Sequence, residues 1–432
     1  MFDLTIIGAG WAGYSAALRA KELGKSVCLI EKSDIGGTCL NRGCIPTKFL
    51  VTAAKQISAF KKANSYGIEV SSYNLDFKKT IENKNGLIAK QRATMENQLK
   101  IKGIEVIKSE GRLTGPNRIK AGERVIESKY ILIATGSKPF ELPDLKFDRS
   151  KFISSDELLN QSSIPKTLLI VGGGVIGCEF ASIFNSLGSK VTIVELLDRI
   201  LPTEDKEASK KLEVTLKKKG ITIHTAKKAQ DLNLNDFEKV LVCVGRASNT
   251  RDLGLDELGV KINKGAICVN EYLETSIKNI YAAGDCIAGY QLAHVAAYEG
   301  KLSVDNMFGQ KQKADYSSVP SAIFTEPEIA SVGIDEDEAK AKNIEIKVAK
   351  FSFLGLGLAH ITGATDGFIK IIAAKHTEEI LGAVIFGQSA TELIGSLSLA
   401  IRNKLTISQI KNTIFPHPTI SESILEAVLR TQ

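Results

Sequence analysis

Two cysteines with four residues between them, Cys39 and Cys44, lie in "GGTCLNRGCIPTK" (residues 36–48). Thiols that close can hold a metal or exchange electrons. In one regular helix, positions five apart sit roughly 140° round the axis and about 8 to 9 Å apart at Cα. A disulfide needs Cα atoms within roughly 7 Å. The pair can therefore bridge across a distorted turn, and Gly36, Gly37, Gly43 and Pro46 supply the residues for one. A zinc half-site would more often show two to four intervening residues and would need a second half-site. The other cysteines (Cys28, Cys178, Cys243, Cys268, Cys286) are scattered singly, so no metal is expected.

The elements that must position these thiols come from a pattern that occurs twice. "LTIIGAGWAGYSAALRAKELGKSVCLIEK" reads as an apolar strand, the glycines Gly8, Gly10 and Gly13, a helix, and a second strand ending at Glu31. "LLIVGGGVIGCEFASIFNSLGSKVTIVEL" repeats it with Gly172, Gly174, Gly177 and Glu195. First glycine and acid are 23 residues apart in both. A single such glycine turn is weak evidence; strand, turn, helix, strand and acid in register, twice, point to two dinucleotides. The first glycine makes the tight turn, the second admits the pyrophosphate, and the third lets helix pack on strand. The helix N-terminus favours the phosphate charge. The carboxylate accepts from ribose hydroxyls and repels a 2′-phosphate, so Glu195 argues for NAD over NADP.

Each unit closes on a buried strand running into glycine: "ILIATGS" with Thr135 and Gly136, and "VLVCVGR" with Gly245. "TSIKNIYAAGDC" places Asp285 after Gly284, where a carboxylate can bind sugar hydroxyls or simply hold a turn.

Composition bounds the rest. The 432 residues suggest two to four domains, and 44% hydrophobic with 24% charged content is that of a globular protein. The net charge of +7 comes without a basic block interleaved with aromatics, so no nucleic-acid partner is expected. No apolar run approaches about 18 residues, and no basic segment leads into an apolar one at the start. The expectation is a cytoplasmic protein without membrane contact. In a reducing compartment a disulfide is usually transient or catalytic, which returns attention to Cys39 and Cys44.

These residues resemble the pyridine nucleotide–disulfide oxidoreductases, most closely those that act on lipoamide. The resemblance covers nearly the whole chain: the first glycine turn, the cysteine segment, "ATGS", "GGGVIGCEFA", "VGR", "AAGDC", "LAHVAAYEG" and "HPTISE", in that order. It implies an α/β fold with two Rossmann-like domains, for FAD and for NAD, and a C-terminal α+β dimerisation domain. It implies that Cys44 faces the flavin and Cys39 exchanges with substrate. Lys48 would sit near the flavin N5 paired with Glu179, His294 near the isoalloxazine, and Asp285 at the FAD ribityl or pyrophosphate. In "FPHPTISE", His417 and Glu422 can form a base and its orienting carboxylate. The resemblance has that pair act across a homodimer on the partner's Cys39, after a cis His417–Pro418 bond. The implied reaction is oxidation of dihydrolipoamide, free or on the lipoyl domain of a 2-oxoacid dehydrogenase or glycine cleavage complex. The alternative is NAD(P)H-dependent reduction of a glutathione, CoA or mycothiol type disulfide. A mercuric ion reductase would need a C-terminal cysteine pair, and none follows Cys286.

The expected organisation is an FAD domain at 1–140, an NAD domain at 141–260, a returning FAD segment at 261–312 and a dimerisation domain at 313–432. "KFLVTAAKQISAFKKA" has helical apolar spacing after the cysteines. Three departures stand out. "HTAKKAQDLNLNDFEKV" leaves little room for the β-meander found in relatives, so the NAD domain reads as trimmed. Phe415 replaces a second histidine, and Trp11 replaces a small residue or proline inside the first glycine turn, where it could shield FAD or simply pack.

Overall fold

The computed structural model describes residues 1–430, which pack as two compact units. The first holds Met1–Leu50, Asn74–Ser163 and Cys243–Ala314. Its sheet begins with four parallel strands in the order Glu105–Ile107, Val27–Ile30, Phe2–Ile7 and Arg124–Ile133, with Ile280–Ala282 parallel to the last. Leu4, Ile6, Leu29, Ile131 and Leu132 are fully buried. Both faces of a parallel sheet are covered, which is why these strands read as unbroken apolar runs. Burying each such side chain contributes about 1.5–3 kcal/mol.

Four helices matter for the site: α1 (Trp11–Glu22), α2 (Gly37–Arg42), α3 (Cys44–Lys62), which begins in this unit, and α4 (Phe77–Ile101). The helical spacing after the cysteines is thus realised as α3. A fifth, α5 (Ser155–Leu158), starts on a capping box in which Ser154 and Glu157 satisfy each other's free N–H groups. Helix Ala293–Met307 lies along α1, its Gly300 so close to Ala12 that an added Cβ would meet the Ala12 carbonyl at 2.2 Å.

The second unit holds Val51–Tyr73, Ile164–Val242 and the chain from Asp315 onward. Four parallel strands run in the order Thr222–His224, Lys190–Val194, Thr167–Val171 and Lys239–Val242. Helix α6 (Val175–Ser186) follows the second glycine turn. Between His224 and Lys239 the chain makes only two short 3₁₀ turns, Ala229–Asp231 and Leu234–Asp236. The C-terminal part is an antiparallel five-stranded sheet ordered Pro320–Ile323, Glu328–Gly333, Ile380–Gly387, Phe368–Ala374 and Ile346–Ser352. The last helix, Glu422–Leu429, buries Ile424, Ala427 and Val428 against this sheet of its own chain.

One buried ion cluster ties the second unit together. Lys370 Nζ donates to Asp205 (2.8 Å) and Glu336 (2.7 Å), and Asp205 also accepts the Glu207 and Ala208 N–H groups. Burial alone would lower the Lys370 pKa, but the two carboxylates more than reverse it. Lys370→Met leaves Asp205 buried without its counter-ion and should cost about 3–5 kcal/mol. Urea denaturation of the purified variant reads this directly.

Candidate active site

Cys39 and Cys44 sit on two different helices. Gly43 (φ −140°, ψ −109°) ends α2, and Cys44 is the first residue of α3. The break is what lets residues five apart face each other. Neither cysteine is in a disulfide, both are half-buried, and the Cys39 thiol donates to the Cys44 sulfur. That contact and burial push the Cys39 thiol's pKa up. Two donors work the other way: the Cys44 backbone N–H at the start of α3, and the Trp11 indole. A helix N-terminus favours the thiolate by its partial positive charge.

The thiol helix rests on the first glycine turn. Gly36 N–H donates to the Ala9 carbonyl (2.9 Å). Gly37 has φ of +57°, and a Cβ there would meet the Gly10 Cα at 2.7 Å. Only glycine meets both demands. In the turn itself, a Cβ on Gly13 would meet the Gly8 carbonyl at 1.8 Å, and one on Gly177 the Gly172 carbonyl at 2.0 Å. The third glycine of each repeat is therefore fixed by helix-on-strand packing.

The two acids take identical posts. Glu31 Oε2 accepts from Ala9 N–H (2.7 Å) and Oε1 from Ser33 N–H (2.7 Å). Glu195 Oε2 accepts from Gly173 N–H (2.6 Å) and Oε1 from Leu197 N–H (2.8 Å). Each carboxylate is thereby locked at the end of its second strand. A cavity of about 380 Å³ lies beside Glu31, lined by Ser33, Ile35, Leu99, Ile104 and Lys108 among others. Apolar side chains (Ile35, Leu99, Ile104, Val106) and charged ones (Glu31, Asp34, Glu96, Lys100, Lys108) share this lining, a mixture that suits the adenosine half of a dinucleotide. At the second turn, a Cβ on Gly174 would meet nothing within 4 Å, which leaves backbone open to a pyrophosphate.

Three further motifs of the first unit are held by hydrogen bonds. Thr135 Oγ1 donates to the Asn249 carbonyl (2.6 Å), and Asn249 N–H to the Gly136 carbonyl (2.9 Å). Gly245 accepts from the Phe140 N–H (3.0 Å), and Gly284 N–H donates to the fully buried Glu299 (2.7 Å). Ser137 Oγ donates to Asp285, whose backbone carbonyl accepts from Ser248 (2.7 Å). Arg246 was only part of a motif in the sequence, yet it joins Ser137 and Asp285. Its Nε donates to Ser137 Oγ (2.7 Å) and stands 3.9 Å from Asp285. Burial lowers its pKa while Asp285, Asp156 and Cys44 support its charge. The arginine after "VG" was the available signal.

Lys48 lies in the first turns of α3, half-buried, and His294 is exposed in the first turn of helix Ala293–Met307. Glu179, on α6 in the other unit, is buried and accepts the Phe324 N–H (2.9 Å). His417 Nδ1 donates to Glu422 Oε1 (2.8 Å), and Thr419 N–H donates to Oε2 (2.9 Å). These two hydrogen bonds hold the Glu422 carboxyl below the usual carboxylate range. The His417–Pro418 peptide is cis. The pair read from "FPHPTISE" is therefore formed.

The chain is similar to known proteins along its whole length. The pyridine nucleotide-disulphide oxidoreductase model matches residues 2–300, and that family's dimerisation domain matches residues 319–428. A dihydrolipoyl dehydrogenase of Chlamydia pneumoniae is 41% identical over 445 residues, covering 99% of this chain and 96% of its own. One from Bacillus subtilis is 39% identical, with 99% and 97% covered. The crystal structure of LpdA from Mycobacterium tuberculosis superposes with a TM-score of 0.93 at 28% identity, covering 99% of both chains. Two glycine turns with locked acids, a thiol pair at a helix break and a match from end to end lead to one assignment: the chain belongs to the pyridine nucleotide-disulphide oxidoreductase family.

Proposed function

We propose that the protein is a dihydrolipoyl dehydrogenase, oxidising dihydrolipoamide to lipoamide with FAD and NAD+. The observation that carries the reading is the thiol pair held across the α2–α3 break, in a chain whose full-length relatives bear that name. Gly8, Gly10, Gly13, Glu31, Thr135, Gly136, Gly284, Asp285 and His294 hold FAD, in domain 1–140 and the returning segment 261–312. Gly172, Gly174, Gly177, Glu195 and Gly245 serve NAD in domain 141–260. Lys48 serves the flavin, and Glu179 is the further residue that the family resemblance assigns to the cofactor. FAD, when bound, accepts the electron pair from the enzyme's dithiol and delivers it to NAD+ as hydride.

The chain's own residues do the thiol chemistry. His417 takes a proton from a substrate thiol, with Glu422 fixing the tautomer and stabilising the imidazolium. The substrate thiolate attacks Cys39 in the oxidised Cys39–Cys44 pair; a mixed disulfide forms and Cys44 leaves as thiolate. The second substrate sulfur displaces Cys39, releasing lipoamide. Substrate has lost two electrons and two protons, and the enzyme pair has gained the two electrons. Arg246 and the start of α3 favour the Cys44 thiolate that results. The protein works as a homodimer through domain 313–432, His417 serving Cys39 of the partner subunit. It acts in the cytoplasm on a free or domain-bound lipoyl group of a 2-oxoacid dehydrogenase or glycine cleavage complex. Among the described residues no helix is long and apolar enough to cross a membrane.

Anaerobic titration of the purified yellow protein with dihydrolipoamide tests the reading. A long-wavelength band at two electrons, then NADH on adding NAD+, is the expected result. Reduction by NADPH with glutathione or CoA disulfide as acceptor, and no response to dihydrolipoamide, would refute the substrate. Glu195→Ala should raise the KM for NAD+ by about 10–10²-fold with a smaller change in kcat, the loss of charge-assisted hydrogen bonds to ribose. Steady-state kinetics with NAD+ and NADP+ side by side measure it.

A further inference from the structure

Trp11 is the chain's one tryptophan and the first residue of α1. Its indole Nε1–H is buried, and among the described residues no hydrogen-bond partner satisfies it. A donor left so ordinarily costs about 1–3 kcal/mol, so a native fold that keeps one calls for an explanation. The ring is held in place: it packs edge-on to Tyr14, centroids 6.4 Å apart, and against the core of the first unit.

The backbone determines what this N–H faces. Gly10, just before Trp11, touches Gly37, and Gly36 hangs from Ala9. Cys39 follows Gly37 by two residues on α2. Four influences act on its sulfur. The Cys44 thiol and burial disfavour the charge, while the Trp11 N–H and the Cys44 backbone N–H favour it. Cys44, at the start of α3, is the titratable neighbour acting on Cys39. Behind it stand Arg246 with Asp285 and Asp156, and on α2 Arg42 beside Asp156 (3.9 Å).

We propose that Trp11 is a positioning residue for Cys39, its Nε1–H reserved for the negative sulfur that forms when this thiol enters exchange with substrate. The proposal rests on the reading of Cys39 as the exchanging thiol. In the neutral thiol the N–H is without an acceptor of good geometry. Once the proton leaves, the sulfur becomes a strong acceptor and closes the bond. The same contact steadies Cys39 as the thiolate leaving the mixed disulfide. The residue types agree: indole offers a donor and no acceptor, so it cannot compete for the thiol proton.

The test uses the full chain with its flavin, reduced by one equivalent of dihydrolipoamide and alkylated with iodoacetamide from pH 5 to 10. Peptide mass spectrometry locates the labelled cysteine. Three proteins are compared: the natural chain, Trp11→Phe, and a chain whose single tryptophan is replaced biosynthetically by 3-benzothienylalanine, which keeps the bicycle and lacks the N–H. The midpoint of Cys39 alkylation should rise by about one pH unit in both altered proteins, a tenfold smaller thiolate fraction below it, with the flavin spectrum unchanged. An unmoved midpoint in the benzothienyl protein overturns the proposal. Loss of flavin with an unmoved midpoint also overturns it, and gives the N–H to the cofactor instead. If the natural chain is labelled at Cys44 rather than Cys39, the exchange assignment itself fails and takes the proposal with it.

Discussion

Cys44→Ser should abolish NADH formation from dihydrolipoamide, a fall on the order of 10⁴–10⁶-fold, the scale of removing a covalent catalytic group. Serine keeps the helix start at α3 and the hydrogen-bonding reach of the side chain. What it cannot do is share a disulfide with Cys39, so the substrate's electron pair has nowhere to go. The variant should remain yellow and folded, because Gly36, Gly37 and Gly43 set the local backbone, not the sulfur. Stopped-flow mixing with dihydrolipoamide checks the rate, and the flavin spectrum checks integrity. Turnover within tenfold of the natural chain would remove the thiol pair from the mechanism.

His417→Ala should lower dihydrolipoamide turnover by about 10²–10⁴-fold, the usual contribution of a general base. The side chain is 76% exposed, so its loss should hardly touch stability, and Tm separates the two effects. Glu422 holds the ring by a 2.8 Å hydrogen bond from Nδ1, which leaves Nε2 to take the substrate proton. Glu422→Gln should cost less than His417→Ala, since an amide oxygen can still orient the ring without supporting the imidazolium. The pH dependence follows in sign. The Glu422 pKa is depressed, so its carboxylate is present above the ordinary glutamate range and is lost only as pH falls through the lower folded value. Across the ordinary carboxylate range, the acid limb of activity should therefore not report Glu422. A second titration step within the ordinary glutamate range that vanishes when Glu422 is changed to Gln, measured as kcat/KM against pH, would contradict this.

Much of the site could be read from residue spacing because local geometry dictates it. The distance from Gly8 to Glu31 and from Gly172 to Glu195 is one strand, one helix and one strand, and the locked carboxylates follow. His417 and Glu422 are neighbours through one turn of chain. The shortness of the stretch between His224 and Lys239 could be counted, and two short 3₁₀ turns fill it. Other features depend on approaches between distant segments, which periodicity does not encode. Nothing in "GAGWAG" says that Gly10 lies on Gly37, so the meeting of Trp11 with Cys39 was out of reach. Arg246 gained its role only when strand Arg246–Ser248 paired with Ser137–Pro139. Helix Glu422–Leu429 could have served a partner or its own chain, and its apolar stripe is the same in either case. It lies on its own sheet.

The bare backbone contact between Gly10 and Gly37 makes the phosphate turn and the thiol helix one mechanical part. A dinucleotide that stiffens the turn stiffens the thiols with it. Conditions that release the dinucleotide would then also loosen the thiol pair.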